Sequence, residues 1–162
     1  MQRKKARRHP NLHQYLVLRL GEPKHIHVFA FNWFAKPLCA SSFSIFWRYW
    51  NPVYGWLLLY YVYRPLRRYL ARPIAFYLTF LASGFLLHDL PFSMSADLYR
   101  GHLQVPAVTI LFAIFGAFAL INEKLGIDLS GRPVWWRVLV NLCWLGAGYW
   151  LRNALVALLA HS

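Results

Sequence analysis

Residues 80–89 read FLASGFLLHD, which places an imidazole and a carboxylate, His88 and Asp89, inside a long apolar run. Burying such groups in hydrocarbon is costly unless they find partners. An ionisable residue inside a membrane segment is therefore a candidate functional residue. A second block, residues 46–51 with the sequence FWRYWN, lies upstream and combines aromatic side chains with an arginine and an asparagine. We expect these two blocks to contain the functional site.

The composition indicates an integral membrane protein with a single domain. The chain has 162 residues, of which 59% are hydrophobic and 14% are charged, whereas soluble domains carry about 25% charged residues. The net charge is +13, with 18 Lys and Arg against five acidic residues. A nucleic-acid partner is not expected, because the basic residues flank long apolar runs and are typical of anchors that face anionic membrane lipids.

The distribution of apolar runs predicts an all-α, polytopic fold. Residues 1–25 are predicted to form a basic cytoplasmic tail, and residues 26–162 a single membrane domain. Within that domain, residues 26–63 are interrupted by polar residues and by proline, which favours interfacial or re-entrant helices. Three segments are long and apolar enough for transmembrane helices, namely 73–92, 103–122 and 134–160. Pro73 is expected near the start of the first, where its missing N–H is harmless.

Orientation and location follow from the basic residues. The largest basic group precedes the first predicted span, so we expect a cytoplasmic N-terminus, with the chain in a membrane of the bacterial inner-membrane type. The two cysteines, Cys39 and Cys143, do not form a CxxC pair, and no disulfide or zinc site is expected. His25 and His27 could share a face only on a strand, and they lack a nearby third ligand, so no metal site is predicted.

The spacing around His88 defines what that side chain can do. Leu81, Gly84 and His88 share one helix face, and the glycine makes room beside the imidazole for a neighbouring helix or for a substrate chain. If the helix starts near Ile74, His88 lies about 21 Å along it. A neutral imidazole at this depth could act as a general base, or could be a structural histidine bonded to a backbone carbonyl. Asp89 points about 100° away and is expected to be a helix-end or interface group.

The upstream block has two interpretations as well. Its aromatic side chains could form a belt at the level of the lipid headgroups. Asn51, however, precedes Pro52, and a residue before proline is biased towards an extended conformation. We therefore expect a helix through residues 43–50 to end there, with the Asn51 amide directed into a cavity.

Both blocks together resemble a known family. Residues 46–68 read FWRYWNPVYGWLLLYYVYRPLRR and residues 76–90 read FYLTFLASGFLLHDL. This pair of segments is similar to the membrane-bound O-acyltransferase family, in particular to the branch that acylates sterols, diacylglycerols and wax alcohols. The resemblance covers residues 46–90, with the landmarks in the same order and at nearly the same spacing.

The resemblance implies an activity and a set of roles. The chain would transfer an acyl group from acyl-CoA or another acyl thioester to a hydroxyl acceptor, with no tightly bound cofactor. His88 matches the catalytic histidine and would act as general base, and Asn51 matches a polar residue that helps to orient or polarise the reactants. We expect four further residues to bind substrate, namely Trp50, Tyr54, Ser83 and Gly84.

The length of the chain bears on its partners. Enzymes of that family are typically several hundred residues long, so this chain would need a protein partner or copies of itself to complete the reaction chamber, in addition to membrane lipids. The alternative is a non-catalytic small membrane subunit that uses an acyltransferase-like scaffold to stabilise a larger complex.

Overall fold

The computed structural model describes residues 9–22, 26–91 and 106–160, and these residues form helices and no strands. The fold is therefore all-α, as predicted. Two helices continue without a break into π-helical turns, in which the backbone hydrogen bonds join residues five positions apart and not four as in an α-helix. The helices are α1 Leu12–Leu20, α2 Ile26–Leu38, α3 Phe43–Tyr49, α4 Pro52–Leu57 with its continuation Leu58–Tyr63 and Arg64–Leu66, α5 Arg72–Gly84 with its continuation Phe85–Asp89, α6 Ala107–Lys124 and α7 Val134–Ala160.

The starts of the helices follow local sequence signals. Asn11 and Gln14 form a reciprocal capping box at α1, in which the side-chain oxygen Oδ1 of Asn11 accepts from Gln14 N at 2.8 Å. The Ser42 hydroxyl accepts from Ile45 N at the start of α3. Pro73 lies in the first turn of α5, which confirms the expected start of that helix.

An aromatic core joins α3 to the α5–α6 pair. Phe43 and Phe46 of α3 are almost fully buried, and they pack with Phe80 of α5 and Phe115 of α6 in one cluster. Trp47 contacts the rings of both Phe80 and Phe115, with ring centroids 5.2 and 5.1 Å apart. The short helix α3, which lies in the segment predicted to form interfacial or re-entrant helices, is therefore a core element of the fold.

The helix α7 packs antiparallel to α6 and is also anchored to the segment between α2 and α3. Gly148 faces the Phe115 ring so closely that a methyl group there would overlap it, and a small residue at this position lets the two helices approach each other. Asn141 is completely buried, and its amide donates to Leu38 O at 2.9 Å and to Ala40 O at 3.0 Å. These bonds satisfy two backbone carbonyls that the end of α2 leaves without helical partners.

The loop between α6 and α7 is held at the same place. Leu129 N donates to Ser41 O at 2.7 Å. The backbone N–H and the hydroxyl of Ser130 both donate to the Asp128 carboxylate. These hydrogen bonds order the turn, and they also lower the pKa of Asp128.

Among the helices of the described residues, one is long and apolar enough to cross a membrane by length and composition, namely Ala107–Lys124. It corresponds to the predicted span 103–122. The predicted spans 73–92 and 134–160 coincide with the helices α5 and α7, which do not meet the same measure of length and apolarity. Parts of several predictions fall outside the described residues, namely positions 1–8 and 23–25 of the basic tail, which include His25, and the ends of the spans at 92 and 103–105.

Candidate functional site

His88 lies in the π-helical end of α5, and this geometry determines how its ring is held. The segment Phe85–Asp89 is a π-helix, a rare conformation that is frequent at functional sites. Within it, His88 Nδ1 donates to the backbone carbonyl of Ser83, five residues earlier, at 2.9 Å. The ring is thereby tied to its own helix and cannot rotate freely.

This hydrogen bond determines which ring nitrogen carries the proton in the neutral form. A carbonyl oxygen can only accept, so Nδ1 must hold the hydrogen, and Nε2 is left with its lone pair. The ring is thus bonded to a backbone carbonyl, as the structural interpretation expected, and the role of Nε2 as a general base stays a prediction.

Two aromatic side chains from other helices surround the imidazole. The ring of Tyr54 in α4 meets it edge-on, with centroids 5.8 Å apart and an angle of 90°. The ring of Phe112 in α6 lies 5.0 Å away at 33°. The half-buried imidazole is thus placed between α4 and α6, and changes in either helix will change its position.

Asn51 joins α3 to α4 in an unusual backbone conformation. Its φ of 39° and ψ of 74° lie in the left-handed region, and it is the one non-glycine residue with positive φ among the described residues. The prediction of an extended conformation was wrong, whereas the predicted end of the preceding helix is confirmed at Tyr49. Proline at 52 disfavours the right-handed helical region for Asn51, and asparagine tolerates the left-handed one.

The Asn51 side chain is only partly used by this turn. Its carbonyl oxygen accepts from Tyr54 N at 3.4 Å and caps the start of α4. No hydrogen bond to its amide nitrogen is present within the described part of the chain. The Asn51 N–H groups are therefore available to donate to another molecule.

A single cavity of about 350 Å³ connects these residues. Its volume lies in the range typical of small-molecule sites. Five of the six residues predicted to be catalytic or substrate-binding line it, namely Trp50, Asn51, Tyr54, Ser83 and His88. The catalytic and binding roles stay predictions, but the shared chamber that those roles require is present.

Gly84 is the predicted site residue that does not line the cavity. It faces α6, where a Cβ atom on Gly84 would lie 2.6 Å from Thr109 Cα. The sequence left open whether a neighbouring helix or a substrate chain fills the space beside this glycine, and in the structure the helix α6 fills it.

Asp89 also contacts α6 and not His88. Its carboxylate accepts from Val108 N at 3.1 Å, and from the backbone N and hydroxyl of Thr109, both at 2.6 Å. A carboxylate at a helix N-terminus satisfies free N–H groups and complements the helix dipole. The prediction that Asp89 is a helix-end or interface group is confirmed, since it caps α6 from the neighbouring helix.

Apart from Arg48, which lies in the upstream block, sequence reasoning missed the charged residues that line the cavity. Arg19, Arg48, Arg72 and Glu123 all line it. They come from four helices, and no local pattern relates them. One signal was nevertheless present, because Glu123 is one of only five acidic residues and, with Asn122, ends a long apolar run.

The described residues contain no group of three or more His, Cys, Asp or Glu side chains placed to hold a metal ion. Comparison of the chain with known proteins finds no matching family model, no similar curated protein and no similar solved structure. The site is therefore interpreted from its own geometry.

Proposed function

We propose that this chain is a membrane O-acyltransferase that moves an acyl group from a thioester donor to a hydroxyl acceptor. The observation that carries the proposal is the state of the His88 ring. One of its nitrogens is fixed as a donor to Ser83 O, the other retains a lone pair, and the ring lines the same cavity as the Asn51 amide. A base and a hydrogen-bond donor at one cavity are the two groups that acyl transfer to an alcohol requires.

A membrane location is part of this proposal and is supported by the surface. Among the described residues, 24 large hydrophobic side chains are exposed, against 11 buried hydrophobic residues. Apolar exposure on this scale marks a membrane or protein interaction surface. Many of the exposed side chains lie on α5 and α7, so lipid around these two predicted spans accounts for the exposure better than a single span at α6. The concentration of positive charge before α5 favours a cytoplasmic N-terminus, as in a bacterial inner membrane.

The proposed reaction uses His88 as the proton carrier. Nε2 takes the proton of the acceptor hydroxyl as its oxygen attacks the thioester carbonyl carbon, and a carbon–oxygen bond forms. The free N–H of Asn51 donates to the oxyanion that develops. When the carbon–sulfur bond breaks, the imidazolium returns the proton to the departing thiolate, which gives an ester and a free thiol.

The test compares two histidine substitutions in the full chain. Purified protein in lipid nanodiscs is supplied with decanoyl-CoA and decanol, and mass spectrometry measures decyl decanoate. We expect His88→Ala to lower the rate by about 100-fold or more, since general-base catalysis contributes about 10²–10⁴-fold. His13→Ala is the matched control, because His13 is exposed on α1 and lies outside the cavity lining.

Equal rates for His88→Ala and the wild type would refute the catalytic assignment. Absence of ester formation by the wild type, over a series of donors and acceptors, would favour the non-catalytic membrane subunit. Both variants are also compared by circular dichroism, so that loss of fold is not mistaken for loss of catalysis.

A further inference from the structure

Three arginine side chains line the cavity, namely Arg19, Arg48 and Arg72. Arg48 belongs to α3, and the guanidinium carbon of Arg19 lies 5.9 Å from the centroid of the Tyr49 ring. Arg72 Nη2 donates to a Glu123 carboxylate oxygen at 2.9 Å, and the Ser44 hydroxyl donates to the same oxygen at 3.2 Å. Ser44 and Arg48 are four residues apart and share one face of α3.

The charges of this group do not balance. Among the described residues Glu123 is the only carboxylate that lines the cavity, so the three arginines and this glutamate together carry a formal charge of +2. Within the part of the chain that the structure describes, neither Arg19 nor Arg48 has an acidic partner, and Arg48 makes no hydrogen bond. Guanidinium groups beside an apolar cavity attract an anion, and the planar fork of arginine matches a phosphate group in particular.

The rest of the cavity is apolar and elongated. The lining residues of α5 run from Arg72 in its first turn to His88 in its last, a separation of 16 positions, or about 24 Å along a helix. Aromatic rings line the walls between these ends, among them Trp47, Phe76 and Phe112. A small anion would fill the charged part alone, whereas the whole cavity suits a long molecule with one charged end.

We propose that the cavity binds an amphiphile whose phosphate-bearing head contacts Arg19, Arg48 and Arg72, and whose apolar chain runs between the aromatic walls towards His88. The proposed acyl transfer enters this inference only through the direction of the chain, which brings a reactive group to the imidazole. The phosphate could belong to a nucleotide-linked thioester or to an anionic lipid headgroup, since both present the same chemistry to the arginines.

The test measures binding without turnover. Full-length protein in phosphatidylcholine nanodiscs is titrated with dodecyl phosphate and with dodecanol, and calorimetry or tryptophan fluorescence gives the dissociation constants. We expect the wild type to bind dodecyl phosphate at least tenfold more tightly than dodecanol. Arg48→Gln should weaken dodecyl phosphate binding by about 10- to 100-fold, since hydrogen bonds to charged groups contribute about 1.5–3 kcal/mol.

The matched control is Arg68→Gln, which removes one positive charge at an exposed position outside the cavity lining. It should change the dissociation constant by less than twofold. Equal effects of the two substitutions would overturn the proposal, because the attraction would then come from overall charge. Equal affinity of the wild type for dodecanol and dodecyl phosphate would overturn it as well.

Competition distinguishes the sources of the phosphate. Displacement of dodecyl phosphate by decanoyl-CoA alone supports a nucleotide-linked donor, displacement by phosphatidic acid alone supports a lipid, and displacement by neither overturns the proposal. The result is separable from catalysis. If Arg48-dependent binding is found while the wild type makes no ester, the binding site stands and the proposed acyl transfer fails.

Discussion

Gly84→Ala should separate α5 from α6 at the site of closest approach. The added Cβ atom would lie 2.6 Å from Thr109 Cα, and 3.0 Å from both Thr109 N and Val108 O. All three neighbours are backbone atoms, so no side-chain rotation relieves the overlap. Carbon atoms prefer a separation of about 3.5–4.0 Å, and the helices must therefore move apart by about 1 Å.

The expected magnitude combines two opposing effects. Overpacking of a tight contact costs about 1–3 kcal/mol, whereas replacing a helical glycine by alanine gains about 1 kcal/mol. We expect a net loss of up to about 2 kcal/mol in the free energy of unfolding. For a chain of this size that corresponds to a decrease in Tm of up to about 8 °C. The same movement should loosen the contacts of Asp89 with α6 and displace His88 from Phe112.

The assay is thermal unfolding in detergent, followed by tryptophan fluorescence, with Gly146→Ala as the matched control. Gly146 is exposed on α7, and a Cβ atom there would have no neighbour within 4 Å. This substitution should therefore show the helix-propensity gain alone and raise Tm slightly. If Gly84→Ala were as stable as Gly146→Ala, the close approach of α5 to α6 at Thr109 would be refuted.

Two further predictions concern the polar contacts between helices. Asp89→Ala should lower the free energy of unfolding by about 0.5–2 kcal/mol, the usual cost of a lost N-terminal cap. Asp89→Asn should cost less, because its amide oxygen can still accept a hydrogen bond. Thermal melts of the two variants test this prediction, and equal losses of stability would contradict it. Asn141→Ala should cost about 1–3 kcal/mol because two buried carbonyls lose their donor, whereas Asn153→Ala, at an exposed position of the same helix, should stay within about 0.5 kcal/mol of the wild type in the same melts.

Local signals predicted much of the fold because they depend on neighbours in the sequence. The long apolar run that became α6 and the proline at the start of α5 were both read correctly. The conformation of Asn51 was predicted wrongly. The rule for residues before proline disfavours the right-handed helical region, but it leaves the left-handed region open to asparagine. The capping bond to Tyr54 stabilises that choice, and it depends on a helix start that the sequence pattern had not assigned to this position.

The site was predicted in part for the same reason. His88 and Asn51 stood out because polar groups are rare in apolar segments, and the cavity brings them together. The arginine group stayed hidden, since arginines beside apolar runs are typical of membrane anchors. Only the packing of α1 against α4, and of α3 against α4 and α6, reveals that Arg19 and Arg48 face a cavity.

Polar contacts at the two ends of the α5–α6 pair fix how these helices are aligned along the cavity. At one end Arg72 in the first turn of α5 binds Glu123 in the last turn of α6, and at the other Asp89 binds the first turn of α6. In an antiparallel pair, a shift of one helix along the other would break both contacts together. Two of the five acidic residues of the chain thus fix the same register. That register also places Glu123 beside Arg72 and Phe112 beside His88, so it aligns the α6 side of the cavity wall with the α5 side along its length.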